Sequence, residues 1–337
     1  MLRGAKILVT GGAGYIGSHA VRRLCDMEAH VVVLDSLRTG HEAAVDHRAE
    51  LIVGDVRDEY AIARALGDGT VACMHFAALA LVGESVKEPE RYRDVNVEGT
   101  RRLAGELVGR GVQAMVFSST AAVYGDDVPT PIPEEQPLAP CNPYGQSKAD
   151  AEQVLRETEG LRATCLRYFN AAGAMPDGTL GEDHAHETHL IPLAIGAAAG
   201  DRDALTIFGT DWDTRDGTCV RDYVHVLDLI DAHVAALLQL LVGAPGTAYN
   251  LGTGTGSTVR EVLDAVERVV GPVPVVEGER RPGDPRALVA QARRAMSDLG
   301  WRPTHDLDAI VRDAWMWHGH HPDGYRTRQH TSGAAPF

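Results

Sequence analysis

The distribution of apolar positions divides the chain into an orderly first half and a broken second half. Lys6–Thr10 is a short run of strand formers, followed by a glycine-rich turn and an amphipathic stretch reaching about Met27. His30–Leu34, Glu50–Val53, Val71–Phe76, Ala114–Ser118 and Leu161–Phe169 repeat the signature of a short strand, with helical segments between several of them. Such alternation predicts a parallel sheet with helices on both faces and ligands gathered at the carboxyl ends of the strands. From about 173 to 220 the periodicity lapses into loop, interrupted by a helical Ile191–Ala199 and a short run Leu205–Phe208. It returns in Val226–Val242, apolar at 227, 230, 234, 237, 238 and 241, and in Ala248–Leu251, a strand that can rejoin the main sheet. Thr258-Val259-Arg260-Glu261 fits a capping box opening another helix, and Val273–Val276 is strand-like. The predicted class is α/β: a doubly wound parallel sheet over 1–172, completed by 222–252, with a smaller discontinuous lobe from 173–221 and 253–337.

Composition narrows the partners. A formal charge of −15 over 337 residues argues against nucleic acid or an anionic membrane surface. No apolar run approaches the roughly 18 residues that a membrane span needs. Met1–Lys6 passes straight into the first strand and leaves no room for a signal peptide, so the expected location is cytoplasmic. The five cysteines (25, 73, 141, 165, 219) show no Cys-x-x-Cys spacing and read as reduced thiols, neither a disulfide frame nor a zinc site.

Candidate chemistry begins at the first turn. Gly11-Gly12-Ala13-Gly14-Tyr15-Ile16-Gly17 follows a strand and opens a helix, and the next strand ends in Asp35. This is the dinucleotide fingerprint in its required context and makes the sheet a Rossmann sheet. Its glycines allow a tight turn against a pyrophosphate, and the acid binds a ribose diol. The Asp35 carboxylate repels a 2′-phosphate, which favours NAD over NADP; Arg38 is the one nearby residue able to soften that. Asp55, beside Val56 at the next strand end, reads equally as a bracket for adenine and as a plain helix cap. Phe76-Ala77-Ala78 lets backbone lie against a flat cofactor, and a helical segment carrying Asn96 follows. Ser118-Ser119-Thr120 closes a further strand. Asn142 can cap a helix that starts at Pro143, placing Tyr144 and Lys148 one turn apart on one face. A free phenol, with pKa about 10, is a poor base near neutrality. An ammonium beside it is expected to lower that pKa and make a proton-transfer pair for a hydroxyl being oxidised, with Thr120 able to bond the same hydroxyl.

Together Gly-x-x-Gly-x-x-Gly, Ser-Ser-Thr-x-x-Val-Tyr-Gly (118–125) and Tyr-x-x-x-Lys (144–148) resemble the extended short-chain dehydrogenase/reductase family that acts on nucleotide sugars. Residues 10–19, Val-Gly-Glu-Ser (82–85), Arg-Tyr-Phe-Asn-Ala-Ala-Gly (167–173) and Gly-Thr-x-Val-Arg-Asp-Tyr-x-His-Val (217–226) are similar to its C4 epimerases of UDP-hexoses, over about residues 5–325. The resemblance implies reversible inversion at C4 of UDP-galactose and UDP-glucose, through a 4-keto sugar and bound NAD. It assigns Tyr144, Lys148 and Thr120 to catalysis. Gly11, Gly14, Tyr15, Ile16, Gly17, Asp35, Asp55, Val56, Phe76, Ala77, Ala78, Asn96 and Ser118 join Tyr144 and Lys148 around the cofactor. Arg221 and Arg281, or its neighbour Arg280, are implied for the diphosphate, Asn170 for sugar or phosphate, and Asp284 for the uridine ribose or the arginines. His189, Leu190 and Phe208 fall on the nucleotide side and Leu288 near the sugar C2 substituent. A homodimer through helices flanking 90–110 and 143–160 is also implied.

Three positions depart from the family pattern: Ala80 stands where many members carry lysine, His189 replaces an asparagine, and Leu288 replaces a tyrosine, cysteine or serine. Other members are dehydratases or decarboxylases. The dehydratases show Asp-Glu after the strand-end threonine, and Ala121-Ala122 here lacks the acid and base that elimination needs. Epimerisation of an N-acetylhexosamine or pentose, and a non-catalytic dinucleotide sensor, are the remaining alternatives. Two histidine groups, 184/186/189 and 318/320/321, invite a metal; without acidic context or helical i,i+4 spacing they are expected to be solvated loop histidines.

Overall fold

The computed structural model describes residues 2–325 except 127 and 282; positions 326–337 of the expected lobe lie outside the described residues. The first half runs β1 (Lys6–Thr10), α1 (Tyr15–Asp26), β2 (His30–Asp35), β3 (Glu50–Val53), α2 (Glu59–Leu66), β4 (Thr70–His75), α3 (Val82–Lys87), α4 (Pro89–Tyr92), α5 (Gly99–Gly109), β5 (Ala114–Thr120), α6 (Pro143–Glu157) and β6 (Arg162–Tyr168). The second half runs β7 (Asn170–Ala172), α7 (Leu190–Ala199), β8 (Leu205–Phe208), β9 (Val220–Arg221), β10 (Tyr223–His225), α8 (Val226–Leu241), β11 (Ala248–Leu251), β12 (Ser257–Thr258), α9 (Val259–Val269), β13 (Val275–Gly278), β14 (Ala287–Leu288), α10 (Arg293–Asp298) and α11 (Leu307–His320).

Seven strands form one parallel sheet in the order β11-β6-β5-β4-β1-β2-β3. The order reverses between β1 and β4, the crevice where a Rossmann sheet holds its ligand. Each strand sends alternate residues to opposite faces. Ile7, Val9, Val31, Val33 and Val116 pack with α1 and α8, whereas Leu8, Val32, Leu34, Met115 and Phe117 pack with α2, α5 and α6. A separate core joins α7, α9, α11 and β8 in the smaller lobe.

The predicted stripe on α8 understates its burial. Val226, Leu229, Ala232, His233, Ala236 and Leu240 are buried as well, because α8 packs against α1 as well as on the sheet and so has more than one covered side. Within the stretch expected to form the lobe, Ala292, Ala295 and Trp301 belong to the core of the large sheet. Asp228 holds that return in place: its carbonyl accepts from Trp301 Nε1 at 2.7 Å and its carboxylate from Thr304 and His305. Among the described residues no helix is long and apolar enough to cross a membrane.

Candidate active site

The β1–α1 turn is close-packed backbone. Gly11 has φ +71°, and a Cβ there would stand 2.5 Å from the Ala77 nitrogen; a Cβ on Gly17 would stand 2.1 Å from the Gly11 carbonyl oxygen. Gly14 is the N-cap of α1 with no side-chain cap and no acid in the first turn, so the orphan N–H groups of that helix end are left to an anion. Over the turn opens a cleft lined by Gly11, Gly14, Asp35, Asp55, Val56, Phe76–Ala78 and Arg38. Asp35 is buried, and its carboxylate accepts the N–H groups of Ala13 and Leu37, both at 2.9 Å. An acid fixed at the end of β2, a bare helix terminus and a cradle that any Cβ would fill together fit a dinucleotide. Gly17→Ala is expected to overpack the turn by about 1–3 kcal/mol, weakening retention of the dinucleotide about ten- to a hundredfold; cofactor released per chain from purified protein measures it.

Asp58, not Asp55, caps α2. Asp55 instead lines the cleft, its carboxyl held low by the Arg57 guanidinium. For three residues expected around the cofactor the side chain is engaged away from the cleft, while the N–H groups of Tyr15 and Ile16 stay in the uncapped first turn of α1. The Tyr15 hydroxyl donates to the Gly173 carbonyl at 2.6 Å, tying α1 to the segment after β7, and Ile16 packs against the core of its face. Asn96 sits behind the cleft wall: its amide accepts the Leu79 N–H and donates to the Leu79 carbonyl and to Ser147 Oγ. These side chains shape the walls from behind.

At the end of β5, the Thr120 hydroxyl accepts the Ala122 N–H at 3.2 Å, and the Thr120 side chain acts to lower the pKa of the Tyr144 phenol. Asn142 caps α6 through Gly145 N–H at 2.9 Å, and Pro143 occupies the first turn as predicted. Lys148 is buried; its Nζ donates to the Ser118 carbonyl at 2.8 Å and lies 4.8 Å from the Phe117 ring centroid. Burial pulls its pKa down to about 7, with the Glu152 carboxylate opposing. The expected ammonium-lowered phenol is corrected here. Burial raises the Tyr144 pKa above 10.0, and the hydrogen bond that lowers it comes from Thr120, because Lys148 is turned to a strand carbonyl.

Sequence reasoning missed the supports of this pair. Ser85 Oγ accepts the Tyr144 N–H at 3.1 Å, one of the orphan donors of α6; it lies in Val82–Ser85, which carried only the family mark. Glu152, one turn beyond Lys148, accepts from Ser119 Oγ at 2.6 Å and pairs with Arg167 in the interior.

Arg221 reaches across to the later segment, donating to the Val220 and Pro285 carbonyls at 2.8 and 2.9 Å and lying 3.4 Å from Asp284. Leu288 is in register with Arg221 through the parallel β14–β9 pair. The Arg281 guanidinium lies 3.8 Å from the Phe208 ring centroid. Arg280 points elsewhere, onto Asp211 at 2.7 Å and the Trp212 ring, which separates the two neighbours. Asn170 opens β7, its N–H donating to the Asp222 carbonyl at 2.9 Å. His189 caps α7 and Leu190 begins it. The expected lack of acidic context fails for His184 and His189, since Glu182 and Glu187 lie against both, although His189 is exposed as expected. His321 likewise stacks on Trp317, with centroids 3.8 Å apart.

A doubly wound sheet with a dinucleotide turn at its switch point, an acid at the end of its second strand, and Thr120 on β5 beside Tyr144 and Lys148 on α6 defines a dinucleotide-binding Rossmann protein. The chain belongs to the NAD dependent epimerase/dehydratase family, matched over residues 7–252. It is 50% identical over 323 residues to the UDP-glucose 4-epimerase of Rhizobium meliloti (strain 1021), covering 94% of this chain and 98% of that one. The crystal structure of UDP-glucose 4-epimerase from Brucella ovis in complex with NAD is 44% identical with a TM-score of 0.90, covering 93% and 98% of the two chains. That from Bifidobacterium longum in complex with NAD+ and UDP is 36% identical with a TM-score of 0.89, covering 95% and 99%.

Proposed function

We propose that the protein interconverts UDP-galactose and UDP-glucose by inversion at C4, with NAD held in the cleft over the β1–α1 turn. The observation that carries this is a cleft over the glycine turn, lined by Asp35, on the same carboxyl edge of the parallel sheet as Thr120 at the end of β5. NAD, when bound, supplies the hydride acceptor and donor. Tyr144 removes the 4-hydroxyl proton and later returns it, and Thr120 holds that hydroxyl in line. Lys148 fixes the end of β5 through the Ser118 carbonyl and contributes positive charge beneath the site. Arg221 and Arg281 clamp the diphosphate, which lets a protein of net charge −15 hold a dianion. Phe208, Leu190 and His189 flank the nucleotide, and Asn170 and Leu288 flank the sugar. The 4-keto sugar can then present its other face while UDP stays clamped.

The test is turnover of UDP-galactose to UDP-glucose by purified protein without added NAD, run beside UDP-N-acetylhexosamines and UDP-pentoses. No conversion of any UDP-sugar with NAD supplied overturns the reading. Arg221→Ala is expected to raise KM for UDP-galactose about 30-fold or more, the cost of about 2 kcal/mol or above for a desolvated charge contact; calorimetric titration with UDP checks it. The reading extends to a homodimer pairing through α5 and α6 and to a cytoplasmic location. Sedimentation at twice the chain mass is expected for the dimer.

A further inference from the structure

Segment 181–189, between β7 and α7, carries no regular secondary structure and is held by side chains. Trp317 Nε1 donates to the Glu182 carbonyl at 3.0 Å, and Asp183 accepts the Tyr325 N–H at 2.8 Å. Inside it Glu182, His184, Glu187 and His189 turn four potential ligand atoms toward one point, all within 4.8 Å of one another. His184 Nδ1 lies 3.4 Å from Glu182 Oε1 and 3.3 Å from Glu187 Oε2, and His189 Nδ1 lies 3.7 Å from Glu187 Oε1. Ligands about 2.0–2.1 Å from a tetrahedral zinc stand about 3.3 Å apart, which the two His184 contacts, to Glu182 Oε1 and Glu187 Oε2, already match, whereas the His189 contact is to the other Glu187 oxygen. The fourth, His189 Nδ1 to Glu182 Oε1 at 2.5 Å, is what a shared proton gives, and a metal replacing that proton would open it by under about an ångström.

We propose that Glu182, His184, Glu187 and His189 form a structural site for a divalent cation of the zinc class, bound through both imidazole Nδ1 atoms and one oxygen of each carboxylate. The donor set suits zinc: two neutral imidazoles and two carboxylates balance its charge, and four protein ligands close the sphere as in structural sites. Glu182 is 5% exposed, and both of its carboxylate partners are histidines. Glu187 is aimed by its own backbone, Oε1 accepting the Thr188 and His189 N–H groups at 2.7 Å each. The two histidines are five residues apart in a non-helical turn, which no helical spacing rule finds. A cation here cross-links the coil that ends in His189 and Leu190. On the proposed reading of the active site it therefore fixes the nucleotide side, and its removal raises KM for UDP-sugar more than it lowers kcat.

The test measures metal directly, so its outcome does not depend on epimerase activity. The untagged full chain is stripped with a chelator, titrated with Zn2+ against a chromophoric competitor, and reloaded with Co2+ for its visible spectrum. One zinc per chain, a four-coordinate cobalt spectrum and a Tm raised by zinc are expected. His184→Ala and Glu187→Gln are each expected to weaken zinc binding by at least about 100-fold, whereas His186→Ala and Cys141→Ser leave it unchanged. His184→Cys keeps a ligand, retains zinc and gives a thiolate-to-cobalt absorption, which covers the case in which the alanine variant does not fold. Absence of zinc binding by the parent chain, zinc retained in full by His184→Ala, or no thiolate–cobalt band in His184→Cys overturns the proposal and leaves an ion-pair cluster only.

Discussion

Tyr144→Phe is expected to lower kcat for UDP-galactose by about 10³-fold, the middle of the range that positioned proton transfer supplies, with UDP affinity unchanged. Tyr144 is placed for this by several independent contacts. The cap from Asn142 and the acceptor Ser85 Oγ fix the start of α6, and the Thr120 side chain lowers the phenol pKa against burial. Burial raises the phenol pKa, so the protein alone holds Tyr144 protonated near neutrality. Activity must therefore depend on positive charge in the occupied site, and kcat should rise with pH along a limb that Tyr144→Phe abolishes. Thr120→Val removes the lowering hydrogen bond and is expected to move that limb to higher pH. Steady-state rates across pH, with UDP binding followed separately, check both. A Tyr144→Phe enzyme that turns over like its parent would remove the catalytic assignment and leave a dinucleotide-binding protein.

The first half of the molecule was legible because its elements are long enough to show a period. Strands of four to seven residues set against both helix layers read as continuous apolar runs, and the glycine turn, the Asn142 cap and the Thr258 capping box are local signals. The second half is built from pieces too short to carry a pattern. β9, β12 and β14 are two residues each, yet they bring Leu288 alongside Arg221. Only three-dimensional pairing could separate Arg280, held by Asp211, from Arg281 over Phe208. Side-chain direction was equally hidden. The i,i+4 spacing of Tyr144 and Lys148 places them on one face of α6 but does not say that Lys148 bonds a strand carbonyl. The partnership of Glu182 and Glu187 with two histidines arises from a coil whose course the sequence does not show.

Glu152→Ala is expected to cost about 3–5 kcal/mol, because it strands a buried guanidinium, lowering Tm by about 4–7 °C. Glu152 and Arg167 are almost fully buried, joined by Nε–Oε1 at 2.9 Å and Nη2–Oε2 at 2.5 Å. The network continues from Arg167 Nη1 to the Tyr124 hydroxyl at 3.0 Å, and from that hydroxyl to Asn250 at 2.7 Å. It thus ties α6, β6, the turn after β5 and β11 to one another at the carboxyl edge of the sheet. If the cost is an uncompensated charge, Glu152→Leu combined with Arg167→Met should recover most of it, since an apolar pair of similar volume is often neutral or better. Glu152 also acts on Lys148, whose pKa near 7 is held up by that carboxylate against burial. Glu152→Gln keeps the side-chain volume but removes the charge, so the Lys148 ammonium should be lost at lower pH and the alkaline side of the activity range should narrow. Thermal unfolding of the single and double variants measures the first effect, and the kcat–pH profile of Glu152→Gln measures the second. Loss of stability in the double variant equal to that of Glu152→Ala would mean that shape and hydrogen bonding, not charge pairing, hold this layer together.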